Sequence, residues 1–174
     1  PNDIAFNLYR GDTKLNDTPI ANSTNFIDDS YTLGDTYHVI PVLEGVELAS
    51  SDTLEPWTKN YHSIPLDIPS GGITPDNVSY TYSANDISVA DLTGNGVYDI
   101  VLKWDPSNSK DNSHSGYSGN QILDAYTMDG ERLWRIDLGI NIRSGAHYTQ
   151  FLVYDFDGNG RAEIAVKTAP GTKD

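Results

Sequence analysis

The sequence of 174 residues has no cysteine, a single methionine and only eleven lysines and arginines. Without cysteine there can be no disulfide scaffold, no thiolate zinc site and no thiol nucleophile. Eleven basic against 25 acidic side chains leave a net charge of −14. A nucleic-acid partner is therefore not expected, because phosphate binding needs a basic surface. No run of about eighteen apolar residues occurs, so no helical membrane span is expected. Apolar residues are scarce at 37%, yet eleven Tyr, four Phe and three Trp can fill small cores and argue against disorder. No stretch shows a 3.6-residue period, so the expectation is an all-β chain.

The chain starts at Pro1 without a charged-then-apolar leader, so any signal peptide is expected to have been removed. Little lysine with much Asp, Asn, Ser, Thr and Tyr fits a secreted, extracellular protein. Thr168 to Asp174 leave a strand-like run and stop in turn-like residues, which suggests a piece of a longer protein.

Along the first 50 residues the apolar positions alternate. Ile4, Phe6 and Leu8 share one face, and Tyr37, Val39, Pro41 and Leu43 share another. Gly11-Asp12 and Glu44-Gly45 punctuate them, and period two with such turns predicts part of a β-sandwich over residues 1–55. Residues 56–80, with Pro56, Pro65, Pro69, Gly71-Gly72 and Pro75, read as linker and entry loop. From residue 81 strands return. Ile100-Val101-Leu102 and Ile164-Ala165-Val166 are continuous apolar runs, as in strands buried on both faces. Met128-Asp129-Gly130-Glu131 predicts a hairpin, with Asp-Gly at its centre, joining Ile122–Tyr126 to Leu133–Ile136.

Residues 88–104, SVADLTGNGVYDIVLKW, align without gaps on residues 152–168, LVYDFDGNGRAEIAVKT. A long-period repeat of strands suggests propeller blades with insertions, or a solenoid. Two units cannot close a ring of about four to eight blades. In the second copy, oxygen side chains occupy positions 1, 3, 5 and 9 of a turn, with glycines at 4 and 6. Calcium takes about six to eight hard oxygen ligands. Asp155, Asp157, Asn159 and Glu163 would supply side-chain oxygens and Arg161 a backbone carbonyl. The first copy offers Asp91, Asn95, Asp99 and the corresponding Val97, but Thr93 replaces an acid and leaves the loop one charge weaker. A polar turn between strands is the plainer alternative for both. Asp105, Asn108, Asp111 and Asn112 crowd a loop with almost no apolar anchor, which reads either as a further oxygen-ligand site or as a solvated loop. His147 reads as a structural residue, and Arg10-Gly11-Asp12 as a hairpin turn. Asn16, Asn22 and Asn77 begin Asn-x-Ser/Thr sequons.

Two long segments, SYTYSANDISVADLTGNGVYDIVLKWDPSNSKDNSHSGYSGN and LWRIDLGINIRSGAHYTQFLVYDFDGNGRAEIAVKTAPGTKD, closely resemble rhamnogalacturonan lyases of polysaccharide lyase family eleven. YHSIPLDIPSGGITP and FNLYRGDTKLN resemble the family's entry region. The resemblance implies a small fibronectin type III-like β-sandwich followed by a calcium-rich β-propeller, eight-bladed when complete, of which residues 81–174 would be the first blades. It implies rhamnogalacturonan I as substrate and β-elimination at galacturonate as reaction. A base removes H5, the C4–O bond breaks and an unsaturated uronate forms. A calcium ion would bridge the uronate carboxylate to an acidic protein and stabilise the developing negative charge. By similarity, Asn85 and Asp105 match residues of the family's active cleft, as substrate- or calcium-contacting groups. Thr93 and Pro170 depart from the family pattern, where acids are usual. The remaining propeller blades of the same protein are the expected partner.

Two other functions fit parts of the sequence. One is a non-catalytic, calcium-dependent carbohydrate-binding propeller. The other is a calcium-binding adhesion module, suggested by Arg10-Gly11-Asp12 beside Asp-rich loops.

Overall fold

The computed structural model describes residues 4–111, 113–145 and 147–170. These hold twelve strands and no helix, so the all-β expectation is met. They separate into two compact units between Ser63 and Ile64.

The first unit carries one four-stranded sheet in the order β2-β1-β3-β4, with β1 at Ile4–Arg10, β2 at Thr13–Lys14, β3 at Tyr37–Leu43 and β4 at Val46–Glu47. Antiparallel register sets Phe6 against Pro41 and Leu8 against Val39. The two alternating sets read from the sequence thus lie across from each other on one sheet face. Both hairpins turn on two residues. Glu44 and Gly45 have positive φ, 52° and 80°, as a type I′ turn requires; at the other turn Gly11 is positive at 52° and stands first, where type II′ needs glycine. Arg10-Gly11-Asp12 is therefore a turn, and the Arg10 guanidinium is taken up by Asp28 at 2.9 Å. Asn16 is buried and gives its amide N–H groups to Asn7 and the Thr18 carbonyl, so that sequon is part of the fold.

Asp28 gathers the long β2–β3 connection. It accepts from Tyr37 Oη at 2.6 Å and from Ser30 Oγ at 2.7 Å. The Tyr37 hydroxyl, then Ser30, outweigh burial and hold the Asp28 carboxyl down at about 2, with Arg10 adding to them. A carboxyl lowered from 3.8 supports the fold above that value and loses its contribution as pH falls toward about 2. The connection should therefore stay docked at pH 4 and release only nearer pH 2. A carbon-13 titration of the Asp28 carboxyl, showing an ordinary midpoint, would contradict this.

The second unit is built on a sheet in the order β10-β9-β8-β7. Its strands are β7 (Tyr82–Ala90), β8 (Asp99–Pro106), β9 (Ile122–Tyr126) and β10 (Arg132–Asp137); β5 (Gly72–Ile73) and β6 (Ser79–Tyr80) precede them as a short pair, and β11 (Phe151–Tyr154) pairs with β12 (Glu163–Val166). Central strands β8 and β9 are buried on both faces. Ile100, Leu102, Trp104, Ile122 and Tyr126 pack on one side, with Tyr82 and partly buried Ile64, Tyr80 and Met128. Leu123 on the other meets Leu138, Ile142 and the inner side of the β11–β12 hairpin, through Phe151, Ile164 and Val166.

Two expectations need correction. Ile164-Ala165-Val166 is covered on one face only, with Ile164 and Val166 half-buried and Ala165 exposed, because alternate residues of a two-stranded hairpin point away from its packing face. The β9–β10 turn does not centre on Asp129-Gly130. Gly130 N–H donates to Thr127 O, and Gly130 has φ 89°. Glycine thus follows a turn instead of sitting within it, and the register shifts between Arg132 and Trp134 as a bulge there demands.

Candidate metal and substrate sites

The repeat seen in the sequence is a repeat of geometry. In the second loop Gly160 N–H donates to Asp155 Oδ2 at 2.9 Å, Asn159 N–H to Asp155 Oδ1 at 3.0 Å, Arg161 N–H to Asn159 Oδ1 at 2.8 Å and Phe156 N–H to Glu163 Oε2 at 2.8 Å. The first loop repeats all four, with Gly96 and Asn95 donating to Asp91, Val97 to Asn95, and Leu92 to Asp99. The paired glycines take the same left-handed turn, 74° and 83° at Gly94 and Gly96, 73° and 86° at Gly158 and Gly160. Asp91 draws four loop N–H groups onto its carboxylate. That of Gly96 does most, with Gly94, Asn95 and Thr93 following, and together they overcome burial and hold the carboxyl below its usual value.

The loops differ in charge. Asp155, Asp157 and Glu163 bring one carboxylate oxygen each to within 4.8 Å of one another. Two oxygens on one calcium ion, each about 2.4 Å from it, can be no more than about 4.8 Å apart. The donor set therefore fits a single calcium ion. Asn159 Oδ1 keeps a second lone pair beyond the one used by Arg161 N–H. In the first loop Thr93 sits where Asp157 would be, and its hydroxyl turns inward to Asp91. Asp91 and Asp99 remain as the two carboxylates, and Asp99 is almost wholly buried.

Asn85 and Asp105 lie on neighbouring strands. Asp105 pairs with Ser83 across β7–β8, and Asn85 follows in a bulge, where Asn85 and Asp86 together face Lys103. Asn85 is exposed and Asp105 half-buried. Ser109 Oγ donates to Asp105 Oδ2 at 3.2 Å, while Oδ1 is buried without a partner among the described residues, as is Asn108 Nδ2. Asn108 Oδ1 is engaged by Gly119 N–H at 2.9 Å.

Among the described residues, the polar loop after β8 is anchored by a side chain from outside it. Arg143 donates to the carbonyl oxygens of Lys110, Asp111, His114 and Gly116. One guanidinium with five fixed donors thus supplies the anchor that apolar residues do not. Asn112 lies outside the described residues. Gly145 allows the close approach, since a Cβ there would stand 2.4 Å from the Tyr148 ring and 3.0 Å from the Lys110 carbonyl. His147 is 84% exposed, 3.6 Å from Asp111, so it is a surface group and not the structural histidine expected.

Three cations escaped the sequence reading. Besides Arg143 these are Lys103, whose fully buried amine reaches Asp86 Oδ2 at 2.7 Å and the Tyr148 carbonyl at 3.0 Å, and Arg135, paired with buried Asp124 at 2.6 Å. A lysine inside the apolar run Ile100–Trp104, and an aspartate opposite an arginine across the β9–β10 hairpin, were the available signals.

Residues 61–174 match the model of the rhamnogalacturonan lyase family 11 C-terminal domain, and residues 1–57 that of the rhamnogalacturonan I lyases beta-sheet domain. Rhamnogalacturonan endolyase YesW of Bacillus subtilis (strain 168) is 57% identical over 171 residues, 98% of this chain and 27% of that protein. Rhamnogalacturonan exolyase YesX of the same organism is 56% identical over 170 residues, 98% of this chain and 28% of that protein. The chain thus spans little more than a quarter of the length of the curated relatives it matches. The crystal structure of YesW superposes with a TM-score of 0.86 at 56% identity, covering 100% of this chain and 30% of that one. A Bacillus licheniformis rhamnogalacturonan lyase gives 0.84 at 60% identity, covering 97% and 29%. The chain belongs to rhamnogalacturonan lyase family 11.

Proposed function

We propose that these residues form the N-terminal part of a secreted, calcium-dependent lyase that cleaves rhamnogalacturonan I by β-elimination at galacturonate. The observation that carries this reading is the identity of 56–57% to two rhamnogalacturonan lyases along 98% of the chain. In this reading residues 1–55 belong to a fibronectin type III-like sandwich, 56–80 are the linker, and 81–174 are the first blades of an eight-bladed propeller completed by the rest of the protein. Both loops hold calcium, through Asp155, Asp157, Asn159, Arg161 and Glu163 in one and Asp91, Asn95, Val97 and Asp99 in the other. Asn85 and Asp105 form one wall of the cleft.

The chemistry suits an acidic protein. A net charge of −14 repels a uronate chain, and a bound calcium ion would screen that repulsion and withdraw charge from the carboxylate next to H5. Asp105 supports a place in the cleft, because a buried oxygen without a partner costs about 1–3 kcal/mol or more unless a ligand reaches it. Asn108 Nδ2, likewise buried without a partner among the described residues, is a donor suited to a sugar oxygen or a carboxylate.

The test uses the full-length protein with rhamnogalacturonan I, following ultraviolet absorbance of the unsaturated product. Absorbance should rise, and should stop rising in excess chelator. Binding without any rise would leave a carbohydrate-binding propeller in its place. Secretion is checked by recovery of the native protein from the culture medium.

Removal of calcium should also lower the unfolding temperature. At a free concentration about 100 times Kd, one site contributes about 2.7 kcal/mol, and the three carboxylates of the Asp155 loop repel one another once the ion leaves. The Asp91 loop, one charge poorer, should lose its ion first in a chelator titration. An unfolding temperature indifferent to chelator would reduce both loops to ordinary turns.

A further inference from the structure

The two loops are neighbours as well as copies. Ala162, the eighth residue of the second loop, donates its N–H to the carbonyl oxygen of Asp91, the first residue of the first loop, at 2.7 Å. One residue earlier, Arg161 lies against Gly94. A Cβ on Gly94 would stand 2.9 Å from both Arg161 Cγ and Arg161 Nε. The arginine therefore covers the turn that Asp91 organises, where Gly94 N–H reaches Asp91 Oδ1 at 2.6 Å.

Ala162 and Arg161 sit between Asn159 and Glu163, in the arm of the second loop that a cation would order. With the ion gone, Asp155, Asp157 and Glu163 are three carboxylates within 4.8 Å, and repulsion among them loosens that arm. The donor to Asp91 and the cover over Gly94 loosen with it. The first loop is the poorer site by one carboxylate, so its own ligands compensate least.

Resting on the calcium reading above, we propose that the two loops bind calcium as one positively coupled pair. The Asp155 loop fills first and hands its order to the Asp91 loop through Ala162 N–H and the Arg161 side chain. Coupling is reciprocal, so calcium in the first loop tightens the second by the same factor.

Hydrogen–deuterium exchange of the full-length protein across a calcium titration tests this, with residues 91–99 and 155–163 followed as separate peptides. Asp157→Asn removes a charge from the second loop alone. It should raise the calcium midpoint of both peptides, that of 91–99 by about five-fold or more, the lower end of usual couplings. Arg161→Ala keeps the backbone carbonyl and should shift mainly the 91–99 peptide. Asp99→Asn should shift the 155–163 peptide in return. If Asp157→Asn moves only its own peptide, the loops are independent and the proposal is wrong. If calcium alters exchange in neither peptide of the unmodified protein, the metal reading fails and the coupling with it.

Discussion

Replacing Asp124 by alanine should destabilise the second unit by about 3–5 kcal/mol, the usual cost of removing one partner from a buried ion pair. The carboxylate is completely buried in the middle of β9 and accepts four bonds. Trp104 Nε1 and Tyr126 Oη reach Oδ2 at 2.8 Å each, and Arg135 closes on both oxygens, Nε at 2.7 Å and Nη2 at 2.6 Å. Alanine would strand a guanidinium, an indole N–H and a phenol at once. Asp124→Asn keeps the shape and one acceptor and should cost less. Burial on its own would raise the Asp124 carboxyl, but Arg135, Tyr126 and Trp104 outweigh it and leave it below its ordinary 3.8. The network therefore supports the fold at neutral pH and fails only as acid protonates Asp124 below that value. Urea unfolding of the full-length protein, followed by tryptophan fluorescence, measures the loss. A change under about 1 kcal/mol would mean that the network contributes no more than an exposed pair.

Asp105→Asn in the full-length protein should lower kcat/KM by about 10²-fold, the scale of losing a group that holds the substrate or its metal in position. The same substitution should leave stability unchanged or raise it, because Oδ1 is buried without a partner and an unpaired charge there is costly. A structural role for Asp105 requires the opposite pattern, lower stability with activity following it. Asn85→Ala tests the second residue proposed for the same wall. Asn85 is exposed in its bulge, so its loss should reduce activity with no effect on unfolding.

Features governed by local chemistry were legible from the residues. Period-two alternation placed Phe6 and Leu8 on a face, and the turns were marked by Gly11 and Gly45, the residue type that takes positive φ freely. The acidic cluster of the second loop was legible because Asp155, Asp157 and Glu163 converge through their spacing in a tight turn. Long-range features were not. Arg143 reaches back about thirty residues to clasp carbonyl oxygens, and carbonyls leave no trace in a sequence. Lys103 looked like one polar interruption in an apolar run, and its partner Asp86 lies in a bulge that no periodicity announces. Ile164 and Ala165 read alike as apolar, yet only the packing of the hairpin decides which of them is covered.

The matched hydrogen bonds of the two loops carry a consequence for how such a protein can vary. All four run between backbone N–H groups and the side chains at positions 1, 5 and 9, while position 3 holds Thr93 in one copy and Asp157 in the other without altering the turn. Position 3 thus changes the charge of the nine residues without changing their form. The charge of one repeat can therefore diverge from that of its copy as both are inherited, while the scaffold persists.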